Sequence, residues 1–74
     1  MLLHKSQICL SIFYELLNGK TVSDEKYMEK YGISLVTFKR DIQEIRAFFA
    51  NEYLAYEVVY FRKFGFYKLV DINR

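Results

Sequence analysis

The chain has 74 residues, 11 of them Lys or Arg against nine Asp or Glu, for a formal net charge of +2. An apolar share of 53% and an aromatic share of 19%, built from seven Phe and seven Tyr without Trp, exclude a disordered chain, while so small an excess of positive charge does not by itself argue for a nucleic-acid partner. A chain of this length forms one small domain that buries only about 60% of the surface it exposes when unfolded, so its core is thin and must draw on every apolar face.

Scarce residue types narrow the function. Cys9 is the one cysteine, which rules out an internal disulfide and points to the reducing cytoplasm; in its apolar helical setting it reads as a small buried hydrophobe. His4 is the one histidine and reads as a surface residue. With no carboxylate pair in a convergent setting, no metal-ligand set and no glycine-rich phosphate loop, neither an enzyme nor a cofactor nor a metal is expected. No apolar run approaches the ~20 residues that cross a bilayer, and Met1-Leu2-Leu3 is far shorter than the apolar stretch of a leader, so no membrane partner is expected.

The spacing of apolar residues predicts a first helix over residues 3–17, with Cys9, Ile12, Phe13, Leu16 and Leu17 inward and Asn18-Gly19 as its stop signal. A second apolar line, Leu3, Leu10, Tyr14 and Leu17, lies partly round the cylinder and exceeds what a three-helix core requires. Either the contact face is wide, or this helix also packs on a second copy or another domain. Lys20-Thr21-Val22 is short and β-capable. Ser23 then suits the cap of a second helix that opens with Asp24 and Glu25, where the positive end of the macrodipole favours acidic side chains. Tyr27, Met28 and Tyr31 face inward on it, and Lys26, Glu29 and Lys30 outward.

Gly32 can end that helix with a left-handed backbone, and Ser34 can cap the next only two residues later. Two helices meeting at so short a joint make a helix-turn-helix. Projected at about 100° per residue, the third helix, over about residues 35–50, buries Leu35, Phe38, Ile42, Ile45 and Phe49. It turns Val36, Arg40, Gln43 and Ala47 outward, with Thr37 and Lys39 flanking near its N-terminal end. A recognition helix meets base edges and phosphates at that end, so Arg40 is the candidate for a direct base contact, with guanine the natural partner.

Beyond residue 55 the period changes. Residues 56–61 are β-branched and aromatic, Arg62-Lys63-Phe64-Gly65 offers a turn, and residues 66–70 form a second strand. Charge is uneven along the chain: residues 1–33 hold four basic and four acidic side chains, while residues 34–70 hold six basic against four acidic. Three helices followed by a hairpin with a basic tip describe a mainly α winged helix-turn-helix, occupying residues 1–74 as a single domain.

At this point the chain resembles the N-terminal DNA-binding domain of DeoR-type and WYL-type bacterial transcription regulators. The likeness is carried by Ile33-Ser34-x-x-Thr37-Phe38-x-Arg40-Asp41-Ile42-x-x-Ile45, by Leu17-Asn18-Gly19-Lys20-Thr21-Val22-Ser23 at the entry to the second helix, and by Gly65-Phe66-Tyr67-Lys68-Leu69 in the wing. It implies that Ser34, Thr37 and Lys39 hold phosphates, that Arg40 and Gln43 read base edges in the major groove, and that Arg62 and Lys63 reach a neighbouring groove or its backbone. Val36 stands where these families often place Arg or Lys, and a valine there can pack on a thymine methyl. Met28 stands where they usually have alanine. Asp41 sits amid this surface and is expected to orient Arg40, cap a local charge network or pair with another helix rather than face phosphate. The families join this domain to a larger effector-binding domain, which this chain lacks; residues 71–74 read as the start of a linker to one.

The expectation is therefore a cytoplasmic bacterial transcription regulator that binds double-stranded DNA sequence-specifically, as a homodimer through helix 1. The alternative is a winged helix used for protein interaction or dimerisation without direct DNA contact. Its support is the ring-rich hairpin, where Tyr56, Tyr60, Phe61, Phe64, Phe66 and Tyr67 offer an adhesive surface unless they alternate into the core.

Overall fold

The computed structural model describes residues 5–72; Leu3 and His4 lie outside the described residues, as do residues 73–74. Helices α1 (Lys5–Leu17), α2 (Asp24–Tyr31) and α3 (Leu35–Asn51) are followed by strands β1 (Tyr56–Phe61) and β2 (Phe66–Asp71). The two strands pair antiparallel, with Tyr56 opposite Asp71 and Phe61 opposite Phe66. The layout is mainly helical with a terminal two-stranded wing, as the sequence pattern predicts.

Local chemistry sets the joints. Ser23 has an extended backbone and its side chain accepts from the Lys26 N–H, while Gly32, at φ 66°, closes α2 by donating its N–H to the Met28 carbonyl. The third helix ends differently. Tyr53 takes the left-handed conformation at φ 54° with 94% of its surface exposed, and the Tyr53 and Leu54 amides donate back to the Ala50 and Phe49 carbonyls. That is the bonding pattern of a Schellman stop with a tyrosine in the place glycine normally takes. In the wing, Gly65 at φ 72° lets the residue 62–65 turn close, with its N–H donating 2.8 Å to the Phe61 carbonyl.

Ile8, Ile12 and Leu16 of α1, Tyr27 of α2, the α3 stripe Phe38, Ile42, Ile45 and Phe49, and Val22, Val58 and Tyr67 make one core. Phe38 is its centre, fully buried, with its ring 5.9 Å from that of Tyr27 and 5.7 Å from that of Tyr67. Val22 realises the β-capable segment before α2 as a single bridge, exchanging hydrogen bonds of 2.9 and 2.7 Å with Tyr67. This bridge fixes the hairpin to the joint between α1 and α2. Strand β2 reaches Asp71, and the Ile72 amide donates to the Ala55 carbonyl, so the ladder runs past the expected end at residue 70.

Two inward assignments and one outward one need correction. Leu17 is half exposed and Leu35 is 39% exposed, because each lies at the margin of its stripe where no neighbouring element reaches over it; Ile8 takes the place in the α1 stripe that Leu17 was given. Asp41, expected on the outer surface, is 7% exposed. It lies on the side of α3 turned to α1, where the Cys9 thiol approaches its backbone carbonyl at 3.9 Å.

Candidate nucleic-acid interface

The outward side of α3 begins at its cap. Ser34 Oγ accepts from the Thr37 N–H at 3.2 Å and donates to Thr37 Oγ1 at 3.0 Å. Its only proton is thus committed within the helix start. What this pair can offer an anion is the Thr37 hydroxyl proton, together with the unsatisfied N–H groups of the first turn. Beyond it, Val36, at 68% exposure, Lys39, Arg40, Gln43 and Ala47 are all open to solvent, and Thr37 is half-buried. The structure thus brings Ser34, Val36, Thr37, Lys39, Arg40 and Gln43 together over little more than two turns of one helix, on the side away from Phe38 and Ile42.

Arg62 and Lys63 are on a different element. Both are exposed in the turn that joins the strands, and the Lys63 ammonium stands 5.9 Å from the Phe64 ring centroid. Phe64, 65% exposed, stacks on Phe66 at 5.6 Å and 12°. The tip therefore presents two cations, one of them, Lys63, beside a small platform of rings.

Between helix and wing runs a cleft of about 390 Å³, walled by Leu35, Lys39, Gln43 and Arg46 of α3 and by Tyr60 and Tyr67 of the hairpin, with Asp24 at the α2 side. No spacing along the chain announces it. Tyr60 lies opposite Tyr67 in the ladder, their rings 4.7 Å apart, and burial pushes the Tyr67 hydroxyl above its ordinary pKa, an effect Arg46 partly offsets. Arg46 donates from Nε at 3.2 Å and from Nη2 at 2.9 Å to the Val58 carbonyl. It pins the hairpin to α3 and leaves its charge at the foot of the cleft. A pairing of residues 61 and 66 across a four-residue turn would have placed Tyr60 opposite Tyr67; the docking of that strand on α3 has no such signal.

Of the six hairpin rings, Tyr67 enters the core and Tyr60 lies over it, Tyr56 packs on Phe49 with centroids 5.8 Å apart, and on the opposite face Phe66 contacts both Phe61 and Phe64. Alternation thus accounts for part of the aromatic abundance. The rest is surface.

Among the described residues no three His, Cys, Asp or Glu side chains group closely enough to hold a metal ion, and no helix is long and apolar enough to cross a membrane. No protein-family model matches the chain, and neither a curated protein nor a solved structure matches it significantly. What the fold defines is a mainly helical layout of three helices with a C-terminal two-stranded wing.

Proposed function

We propose that this chain binds double-stranded DNA sequence-specifically, as a cytoplasmic bacterial transcription regulator of the DeoR or WYL kind, with α3 in the major groove and the wing on neighbouring backbone. The observation that carries the reading is the concentration of Val36, Lys39, Arg40 and Gln43 on the exposed side of α3, beside an open cleft whose far wall is Tyr60 and Tyr67 of the hairpin that also carries Arg62 and Lys63 in its turn. Arg40 and Gln43 read base edges, and Val36 packs on a thymine methyl. Thr37 and Lys39 hold phosphates at the helix start. Arg62 and Lys63 add contacts to backbone, which position the protein without choosing a sequence. The cleft adds Tyr60, whose hydroxyl can donate to a phosphate lying between helix and wing.

With about five phosphates neutralised, log affinity for duplex DNA falls against log salt with a slope of roughly −4 to −5. Selection from a random duplex pool yields an enriched motif. A slope near zero, or a pool that stays random, defeats the proposal. A second reading, a protein-docking wing, is favoured by the exposed Phe64–Phe66 stack. It calls for binding that tolerates molar salt, and retention on heparin that is released by moderate salt argues against it.

A further inference from the structure

On α1 the side opposite the core is apolar. Leu10, Tyr14 and Leu17 are 63, 68 and 51% exposed, at spacings of four and three residues. Those are the alternating steps by which one helix seats against another of the same kind. Beside them Phe48, at 46% exposure, leans edge-on against Phe13 with ring centroids 5.5 Å apart. Between α1 and α3 this leaves a groove of about 210 Å³ lined by Cys9, Leu10, Phe13, Ile45 and Phe48, with Glu44 at the rim.

We infer that this face is the two-fold interface between two copies of the chain, each placing Leu10 and Tyr14 against α1 of the other and toward its groove. Three observations select a second copy as the occupant. The stripe's four-three spacing is self-complementary, as a two-fold contact demands. The α1 stripe carries no charge, Glu44 standing only at the groove's rim, so apposing stripe to stripe brings no like charges together. The exposed parts of Leu10, Tyr14, Leu17 and Phe48 amount to roughly 500 Å² per copy, so a pair that covers them completely buries at most about 1,000 Å², the lower bound for a specific interface. An interface of that size gives a weak dimer that a shared ligand can reinforce. The purpose rests on the DNA reading, since one such domain makes a short footprint and two copies on adjacent half-sites lengthen it. Phe48 lies eight residues beyond Arg40, about 12 Å along the helix, so the interface leaves the DNA side of α3 open.

Sedimentation equilibrium without DNA tests this directly, over roughly 5 μM to 1 mM, the range of a weak dimer. The 8.9 kDa chain is expected to approach twice its mass at the upper end. Leu10→Glu and Tyr14→Glu, both at exposed positions, are each expected to raise the dissociation constant at least about tenfold, because burying a carboxylate in an apolar contact costs more than the ~1.4 kcal/mol that tenfold represents. Lys26→Ala, an exposed change on α2, serves as the unaffected control. Circular dichroism melts that match the wild type show that the variants are folded. A chain that stays monomeric throughout, or a dimer unaltered by both glutamates, overturns the inference. Failure of DNA selection with the dimer intact would remove only the regulator reading.

Discussion

Helices α1 and α3 bury equivalent stripes in the same core, Ile8, Ile12 and Leu16 on one and Phe38, Ile42, Ile45 and Phe49 on the other, yet their outward sides are opposites. From α3, Val36, Lys39, Arg40 and Gln43 project into solvent, while from α1 it is Leu10, Tyr14 and Leu17. The inward stripes are interchangeable in kind and say only that each helix folds against something. The outward sides are where the two diverge, and they do so in the property salt acts on. A cationic side loses affinity for a polyanion as salt rises, whereas contact between apolar sides is insensitive to salt or strengthened by it. Raising salt is thus expected to release DNA while leaving any self-association intact, a pair of opposite responses from one small domain.

The contrast breaks most completely where both sides share a support. Phe38 is fully buried and touches rings from α2 and β2, so Phe38→Ala removes about 3–5 kcal/mol. A domain of this size is held by little more than that. Urea unfolding followed by circular dichroism is expected to find the variant largely unfolded at 37 °C, with DNA binding and self-association lost together. Retention of either one alone would mean that the two helices are not built on a common core.

The next largest effect separates them. Arg40→Ala is expected to cost about 1–3 kcal/mol in affinity for the selected site and to relax preference at one base pair, while Lys63→Ala weakens all sequences alike and makes the salt slope shallower by about 1. Fluorescence anisotropy on matched and scrambled duplexes over a salt series measures both. Neither substitution touches Leu10 or Tyr14, so sedimentation of both variants follows the wild type. Equal behaviour of the two variants on matched and scrambled DNA would show that Arg40 and Lys63 have been given the wrong roles.

The parts of this architecture that could be read from sequence are those fixed within a few residues. Ser23 and Gly32 bound α2 because capping and a left-handed stop act over one turn, and Ser34 starts α3 for the same reason. The hairpin was legible from its change of period. Legibility ends where one element docks on another. Arg46 reaches the Val58 carbonyl across twelve positions of sequence, and the cleft that includes Tyr60 exists only once that contact has set the hairpin against α3. Asp41 looked like part of the outer surface because a projection of α3 gives direction but not how far α1 extends over it. Leu17 and Leu35 failed in the reverse sense, at stripe margins with no neighbour to cover them. On α3, helical spacing was enough to place Val36, Lys39, Arg40 and Gln43 on the outward side. What the structure adds is that Ser34 spends its proton on Thr37, so the hydroxyl proton available at the helix start is the threonine's.

The smallest expected effect concerns the tie that holds α1 to α2 and so keeps the two outward sides in fixed relation. The Tyr27 hydroxyl donates to Glu15 Oε2 and lies 3.2 Å from Ser11 Oγ. Burial first, and then the hydrogen bond to Glu15, push its pKa well above the ordinary value of 10.0. Because the folded state holds this proton more tightly than the unfolded chain does, the stabilisation is complete below pH 10 and is lost as pH climbs toward the raised folded value. Unfolding free energy is therefore expected to be level on the acid side of that point and to fall beyond it, at up to about 1.4 kcal/mol per pH unit for each proton concerned. Tyr67, raised by its own burial, contributes in the same direction. Tyr27→Phe should lower stability at neutral pH by about 1 kcal/mol, the worth of one such hydrogen bond, and should flatten the alkaline decline without abolishing it, since Tyr67 remains. Urea titrations of both proteins across the alkaline range decide the matter. An unchanged decline in the variant would place the proton elsewhere, and with it the tie between the helix that carries the apolar side and the pair that carries the basic one.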